Sequence, residues 1–334
     1  MKPRRILVLT LKELVPPDSI EGMSDKEIAP FKTDFDVVAS LENLGHDVHV
    51  LGLEHDIDVL RDAIEEHRPH VVFNLLEEFN GQPEFVSHVL GYLELLGQPY
   101  TGCGPVGMMF SQDKALQRKI LRHHRIHVPD YTIIPVGGAI RRPVRLGFPL
   151  IVKSLTEHGS YGISQASIVH DDEKLAERAR FVHEQLGTPA IAEQFIKGRE
   201  LYLGLIGNKR LETFTIWELR FENLPEGAPT IATSKVKWDL RYQKSAGVST
   251  GPADLTPEQE RYIIRMCKRA YRALDQTGYA RMDMRMEPSG RVSLIESNPN
   301  PQLSFGEDFA ESAEAAGLEY EPLLQRIVSL GLRR

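Results

Sequence analysis

The residues best suited to chemistry sit on two neighbouring segments late in the chain, Arg281-Met282-Asp283 and Glu296-Ser297-Asn298. If each segment is a strand, two-residue alternation puts Arg281 and Asp283 on one face of the first. It puts Glu296 and Asn298 on one face of the second. The turn Pro288-Ser289-Gly290 between them predicts a hairpin, Gly278 to Met286 against Val292 to Asn298, that brings Asp283, Glu296 and Asn298 together. Clustered hard oxygens suit Mg²⁺, which takes few protein carboxylates and shares its shell with ligand phosphates. Burying two carboxylates without a cation is costly. Taken alone, the same residues fit a solvent-facing hairpin equally well.

Three upstream elements point the same way. Lys114, and Lys153 at the end of the apolar run Phe148 to Val152, would aim ammonium groups at phosphates. Each lysine alone reads more simply as a surface residue lying along its own stem. Glu157-His158-Gly159-Ser160-Tyr161-Gly162-Ile163 places two glycines and a serine between strands, so backbone N–H groups can approach phosphate oxygens without Cβ obstruction. A hairpin turn uses the same residues. Ala190 to Ile196, followed by Gly198-Arg199-Glu200, gives an apolar strand that would wall an adenine, with Glu200 accepting from ribose hydroxyls. An ordinary strand and turn fits as well.

Other motifs fail. Gly102-Cys103-Gly104-Pro105-Val106-Gly107 has dinucleotide-loop spacing, but its preceding strand is short and late, and Pro105 sits inside the turn. A junction turn explains it better. His123, His124 and His127 lack an acid or cysteine to complete a metal set. Glu77-Glu78 would hold a cation or an ammonium, or simply line a solvated loop.

These side chains need a scaffold. The first hundred residues alternate: a strand from Arg5 to Thr10, a helix from Asp34 to Leu44, a strand from Asp47 to Leu53, a helix from Asp56 to His67, a strand from Val71 to Leu75, and a helix from Phe85 to Leu96. That order predicts a parallel sheet covered by helices. Glu13 to Lys32, with Pro16, Pro17, Gly22 and Pro30, reads as a long loop. Beyond Pro105 come a helix from Gln112 to His123, strands near Tyr131–Ile134, Leu150–Lys153 and Ser164–Val169, and a helix from Asp171 to Leu186. Two strands joined at Gly207-Asn208 occupy Arg199 to Trp217. Residues 239–255 are polar with Gly247, Gly251 and Pro252, and read as a mobile loop. Thr256-Pro257-Glu258-Gln259 is a capped helix start.

The chain has 334 residues, with 41% hydrophobic and 26% charged, which suits about two or three domains and excludes wholesale disorder. Its net charge of −7 argues against a nucleic-acid partner. No apolar run approaches the ~18 residues of a membrane helix. The apolar stretch after Met1-Lys2-Pro3-Arg4-Arg5 is too short for a signal peptide. Two cysteines, Cys103 and Cys267, make no disulfide framework, so a cytoplasmic setting is expected.

Taken in order, these motifs resemble the ATP-grasp superfamily, and within it the D-alanine–D-alanine ligase-like family, as a divergent member. Val71 to Asn74, Tyr92 to Gly97 and Pro99 to Gly102 resemble its first domain. Asp113-Lys114, Ile151 to Lys153, Gly278 to Asp283 and Glu296 to Pro299 resemble its ATP and metal motifs. The resemblance implies an α/β protein, α+β in its ATP-grasp part. A parallel-sheet pre-ATP-grasp domain over residues 1–104 would precede a two-lobed ATP-grasp fold, with a central lobe at 105–189 and a C-terminal lobe at 190–334. It implies ATP with Mg²⁺, two ions, for which Mn²⁺ can substitute. Lys114 and Lys153 would hold phosphates, and His158, Gly159, Ser160, Tyr161 and Gly162 would cover them, with Ser160 also catalytic. Glu193, Gln194, Phe195 and Ile196 would bind adenine and Glu200 the ribose. Asp283, Glu296 and Asn298 would bind metal. Lys237 and Arg281 would stabilise the transferred phosphoryl group, residues 238–255 would close over the site, and backbone N–H groups of Pro299 to Leu303 with Arg281 would hold an oxyanion.

The implied activity is a carboxylate–amine ligase working through an acyl phosphate on amino-acid or amine substrates, and the resemblance implies a homodimer. The substrate-facing motifs differ from the family's. Leu14 to Phe31 replaces a His-Glu-x-Ser-type segment, and Leu76 to Gly81 replaces a Gly-Glu-Asp-Gly pattern. Gly159-Ser160 replaces Ser-Ser, Trp238 replaces a tyrosine, and Pro301 to Ser304 replaces a Pro-Gly-Met-Thr-type run. Glu77, Glu78, Glu307 and Asp308 suggest an amine-bearing or basic substrate. A D-alanine–D-alanine ligase of cell-wall synthesis is the alternative within the class. A non-catalytic nucleotide-binding regulator is the alternative outside it, and the intact lysine and metal set argues against it.

Overall fold

In the computed structural model, which describes residues 2–157, 162–225 and 228–334, thirteen strands form three sheets. The first holds β1 (Arg5–Leu11), β2 (Asp47–Leu53) and β3 (Val71–Asn74) in the order β2-β1-β3, all parallel. Both faces are covered, as near-continuous apolar runs require. Val8 and Phe73 pack toward helices Lys32–Asn43 and Tyr320–Gly331, and Leu7, Leu9 and Val72 toward helix Val86–Leu95. The expected alternation of strand and helix is present.

The second sheet holds β4 (Tyr131–Ile134), β5 (Leu150–Ser154), β6 (Ile168–Val169) and β7 (Ala190–Gln194), antiparallel in the order β4-β7-β5-β6. Leu150, Val152, Ala190 and Ala192 turn one way, with Leu175, Ala179 and Val182 of helix Asp172–Leu186. Ile191 turns the other way, against Ala115 of helix Lys114–His123, and Lys153 and Glu193 share its face.

The third sheet holds β8 (Arg199–Ile206), β9 (Glu212–Thr213), β10 (Trp217–Phe221), β11 (Val248–Pro252), β12 (Tyr279–Met286) and β13 (Val292–Pro299). Its order is β11-β10-β8-β12-β13, with β9 beside β8. Met282, Met284, Val292 and Leu294 form a core with Ile263, Met266, Cys267 and Ala270 of helix Pro257–Ala273. Thr256 and Gln259 close that helix's capping box as the sequence predicts, at 3.3 and 2.9 Å.

Several expectations are corrected. The helix expected over 112–123 starts two residues later, at Lys114–His123, and a further helix, Pro105–Gln112, precedes it. Asp113 divides them because its carboxylate accepts from the N–H groups of Ala115 and Leu116 at 2.8 and 2.9 Å. Most of the strand expected over 164–169 is a 3-10 turn at Gln165–Ser167, leaving two residues in β6. The second strand of the pair expected over 199–217 is split into β9 and β10. The long loop over 13–32 contains helix Asp25–Ile28 and two 3-10 turns.

Residues 239–255 are not a loop. They hold helix Leu240–Ala246 and β11, which pairs antiparallel with β10 along its whole length. Asp239 caps the helix through the N–H groups of Arg241 and Tyr242, both at 3.0 Å, and Gly247 ends it in the left-handed region at φ 62°.

Gly102 to Gly104 make a turn, and Pro105 opens the helix Pro105–Gln112. A Cβ on Gly102 would sit 2.3 Å from Oδ1 of Asn300, and one on Gly104 would sit 2.4 Å from Nη2 of Arg334.

Candidate active site

The site lies in a cleft of about 730 Å³ between the second and third sheets. Its far wall is apolar, with Ile151, Ile163, Phe195, Ile196 and Ile231. Its near end is charged, with Lys153, Glu193, Lys237, Asp283 and Glu296. Gln194 and Glu200 line the cleft as well.

The β12–β13 register sets the charged end. Asp283 lies opposite Glu296 and Arg281 opposite Asn298, so all four side chains share one face. A β-bulge follows at once, because Met284 pairs with Leu294 and Ile295 is the extra residue. In a regular strand Leu294 and Glu296 would share a face. The bulge turns Leu294 into the core and Glu296 into the cleft.

Arg281 grips Asp283 through two bonds, Nε to Oδ1 at 2.7 Å and Nη2 to Oδ2 at 2.9 Å. Asn298 donates from Nδ2 to Asp283 Oδ2 at 3.0 Å. The Arg281 guanidinium also lies 4.9 Å over the Tyr202 ring.

Lys114 and Lys153 are 2% and 6% exposed, so neither is a surface residue. Lys114 starts the helix capped by Asp113. Its Nζ lies 3.3 Å from Glu296 Oε1 and donates to the Glu157 carbonyl. Burial pushes its pKa down, Glu296 opposes that shift, and Lys153 adds to it. Lys153 Nζ lies 3.2 Å from Glu193 Oε2. Lys237, on helix Ser234–Trp238, is also pushed down, first by burial and then by Arg281, against the pull of Asp283, Glu296 and Glu200.

Two residues missed in the sequence hold this frame. Arg118 is fully buried beside Glu193 at 2.6 Å. Arg285, 5% exposed, donates to the carbonyls of Ile196 and Gly198 and to Glu200 Oε2, each at 2.7 Å. Both were legible by spacing: Arg118 lies four residues after Lys114 on a helix, and Arg285 two after Asp283 on a strand.

Glu200 also accepts from the Tyr202 hydroxyl at 3.0 Å. Glu193, expected at the adenine, has its carboxylate engaged by Arg118 and Lys153. The oxyanion segment is narrower than expected. Pro299 and Pro301 have no N–H, and the Asn300 N–H donates to the Tyr279 carbonyl at 3.3 Å, which leaves Gln302 and Leu303. His158, Gly159, Ser160 and Tyr161 lie outside the described residues. Gly162 is left-handed at φ 70°, and its carbonyl accepts from Arg178.

The oxygen set fits a hard divalent cation. Two carboxylates face each other on adjoining strands, with an amide beside them. Among the described residues there is no group of three His, Cys, Asp or Glu side chains able to hold a metal by itself.

A family model described as the D-ala D-ala ligase C-terminus matches residues 126–329, more than half of the chain. The chain belongs to the D-alanine–D-alanine ligase family. It is 30% identical over 293 residues to the D-alanine–D-alanine ligase of Nitratidesulfovibrio vulgaris, covering 88% of this chain and 90% of that one. It is 29% identical over 316 residues to that of Desulforudis audaxviator, covering 94% and 97%. The crystal structure of the Bacillus anthracis ligase complexed with ATP superposes with a TM-score of 0.75 at 23% identity, over 99% of this chain and 98% of that one. The ATP-grasp fold of the family is thus the fold of this chain. No helix among the described residues is long and apolar enough to cross a membrane.

Proposed function

We propose that the chain is an ATP- and Mg²⁺-dependent carboxylate–amine ligase that forms an amide through an acyl phosphate and releases ADP and phosphate. One observation carries this reading: a paired-carboxylate hairpin and the buried Lys153 line one cleft with an apolar wall, and the buried Lys114 stands 3.3 Å from Glu296 of that hairpin. The relatives' names and the ATP-bound neighbour support it.

The physical need is plain. A carboxylate is a poor acyl donor because its leaving oxygen is too basic. Transfer of the terminal phosphoryl group of ATP to it breaks one P–O bond, forms another, and creates a good leaving group. The incoming amine loses a proton, attacks, and expels phosphate.

Lys114 and Lys153 would hold the phosphates, together with the loop at His158, Gly159, Ser160, Tyr161 and Gly162. The Phe195–Ile196 wall would take the adenine alongside backbone groups of Glu193 and Gln194, and Glu200 would take the ribose. Asp283, Glu296 and Asn298 would hold Mg²⁺, two ions, with Mn²⁺ able to replace it. When bound, the metal neutralises charge on the transferring phosphoryl group. Lys237 and Arg281 would stabilise the same charge, with Ser160 assisting.

The substrate is amine-bearing. Supporting this, two acidic pairs, Glu77-Glu78 and Glu307-Asp308, stand at exposed or half-buried positions open to a ligand. Such crowded acids favour a cationic neighbour. D-alanine is the first candidate, by the names of the relatives. A homodimer in the cytoplasm belongs to the same proposal.

The deciding experiment is a screen of D- and L-amino acids, singly and in pairs, with ATP and MgCl₂, reading ADP release and then product mass. A chain that binds ATP and releases no ADP with any pair would be a regulator instead.

A further inference from the structure

Arg118 touches three groups that the proposed reaction must hold still, and reaches a fourth, Lys153, through one of them. Its Nη1 donates to the Lys114 carbonyl at 2.9 Å. Its Nη2 donates to the Ile295 carbonyl at 2.7 Å and lies 2.6 Å from Glu193 Oε1. Glu193 in turn reaches Lys153 at 3.2 Å through its other oxygen. Arg118 and Glu193 are 0% and 1% exposed, so water screens neither charge.

The charge count matters. With Glu193 shared between Arg118 and Lys153, the three side chains carry one net positive charge at the phosphate end of the cleft. Without Arg118 they carry none, because the Glu193 carboxylate then neutralises Lys153 alone. Arg118 also holds Ile295, the bulged residue immediately before Glu296. A planar fork reaches all these acceptors at once, whereas a single ammonium does not.

We propose that Arg118 is the positioning residue of the nucleotide site: it compensates Glu193 so that the Lys153 charge is available to nucleotide phosphates, and it pins the β13 bulge that aims Glu296. The inference rests on the ligase reading above and deepens it. Arg118 touches no reacting atom and acts through Lys153, Lys114 and Glu296.

The test is a double-mutant cycle on the full chain, reading the Kd for ATP by calorimetry with MgCl₂ and no amino acid, beside kcat and KM. R118M weakens ATP binding by about tenfold or more. E193Q alone binds ATP at least as tightly as the wild type. R118M/E193Q, which removes both partners and leaves Lys153 charged, recovers to within about threefold of the wild type. R118K keeps the charge and so keeps the ATP Kd within about threefold, while kcat falls about tenfold because the bulge is no longer clamped. The KM of the amine acceptor stays constant throughout.

A double variant no tighter than R118M, or an R118K that loses ATP affinity as R118M does, would overturn the assignment. Should R118M fail to fold, R118K and R118M/E193Q are compared with the wild type instead, and a loss of ATP affinity of about tenfold in either would overturn the assignment. Failure of the wild-type chain to bind ATP at all would instead sink the ligase reading itself.

Discussion

Arg281 and Asp283, two residues apart on β12, are locked to each other by bonds of 2.7 and 2.9 Å, so a proposed phosphoryl-stabilising cation and a proposed metal ligand neutralise one another. A divalent cation held at Asp283 would compete with that pairing, so metal and nucleotide binding would be linked through one carboxylate. Asp283 is thus balanced by Arg281, as Glu296 is by Lys114 at 3.3 Å.

Glu296→Gln tests the oxygen set most directly. The amide keeps the size of the side chain but removes the charge that attracts a cation. Mg²⁺-dependent ADP release is expected to fall by on the order of 100-fold or more. Circular dichroism should stay that of the wild type. Near-normal turnover would refute the role given to Glu296.

The hairpin residues were legible because alternation and a Pro-Ser-Gly turn are local signals. Asp283 and Glu296 fall opposite each other as that pattern requires. The bulge at Ile295 was not legible, since a register shift depends on what both strands pack against. Residues 239–255 were misread for another reason: polar composition outweighed two cap signals, Asp239 before the helix and Gly247 after it. The side-chain partners of Glu193 were not legible because they come from two other elements, Arg118 on helix Lys114–His123 and Lys153 on β5. A sequence read one segment at a time cannot pair them.

Arg285→Met should separate nucleotide binding from chemistry. Arg285 orders the 196–198 turn and holds Glu200, and its guanidinium lies 5.2 Å over the Phe195 ring. Its removal leaves Glu200 without its cation and loosens the proposed adenine wall. We expect the KM for ATP to rise about tenfold, kcat to change less, and stability to drop by about 3 kcal/mol. Steady-state kinetics and urea melts check both. An unchanged KM would remove Arg285 and Glu200 from the nucleotide site.

Lys237 gives a pH signature. Burial and Arg281 push its ammonium below the usual lysine range, so it loses its proton at lower pH than an exposed lysine. A cation needed for the phosphoryl group is then lost on the alkaline side. The profile of kcat/KM for ATP should fall there, and Lys237→Arg should move that fall to higher pH, because arginine stays protonated. Lys114, shifted the same way by burial, keeps part of the limb in the variant. A limb displaced no further when Lys237→Arg is added to Lys114→Arg would exclude Lys237.

Asp34 gives a stability signature. It is 3% exposed and accepts from the Thr10 hydroxyl, and burial raises its pKa from 3.8 to about 6, against the lowering effect of that bond. The folded chain thus binds a proton there between pH 3.8 and about 6 that the unfolded chain has released. Unfolding releases protons in that window, so stability falls as pH rises through it. The penalty is fully present above pH 6 and absent below 3.8, and the shift corresponds to about 3 kcal/mol. Asp34→Asn keeps an acceptor for Thr10 and removes the titrating charge. The variant should melt higher than the wild type at pH 7, by an increment that shrinks steadily toward pH 4. An increment that is flat across that range would mean that Asp34 carries no buried charge in the folded chain. Addition of the correct amine-bearing substrate should shrink the same increment at pH 7, because a cation near Asp34 and Glu77 favours the ionised form that asparagine lacks.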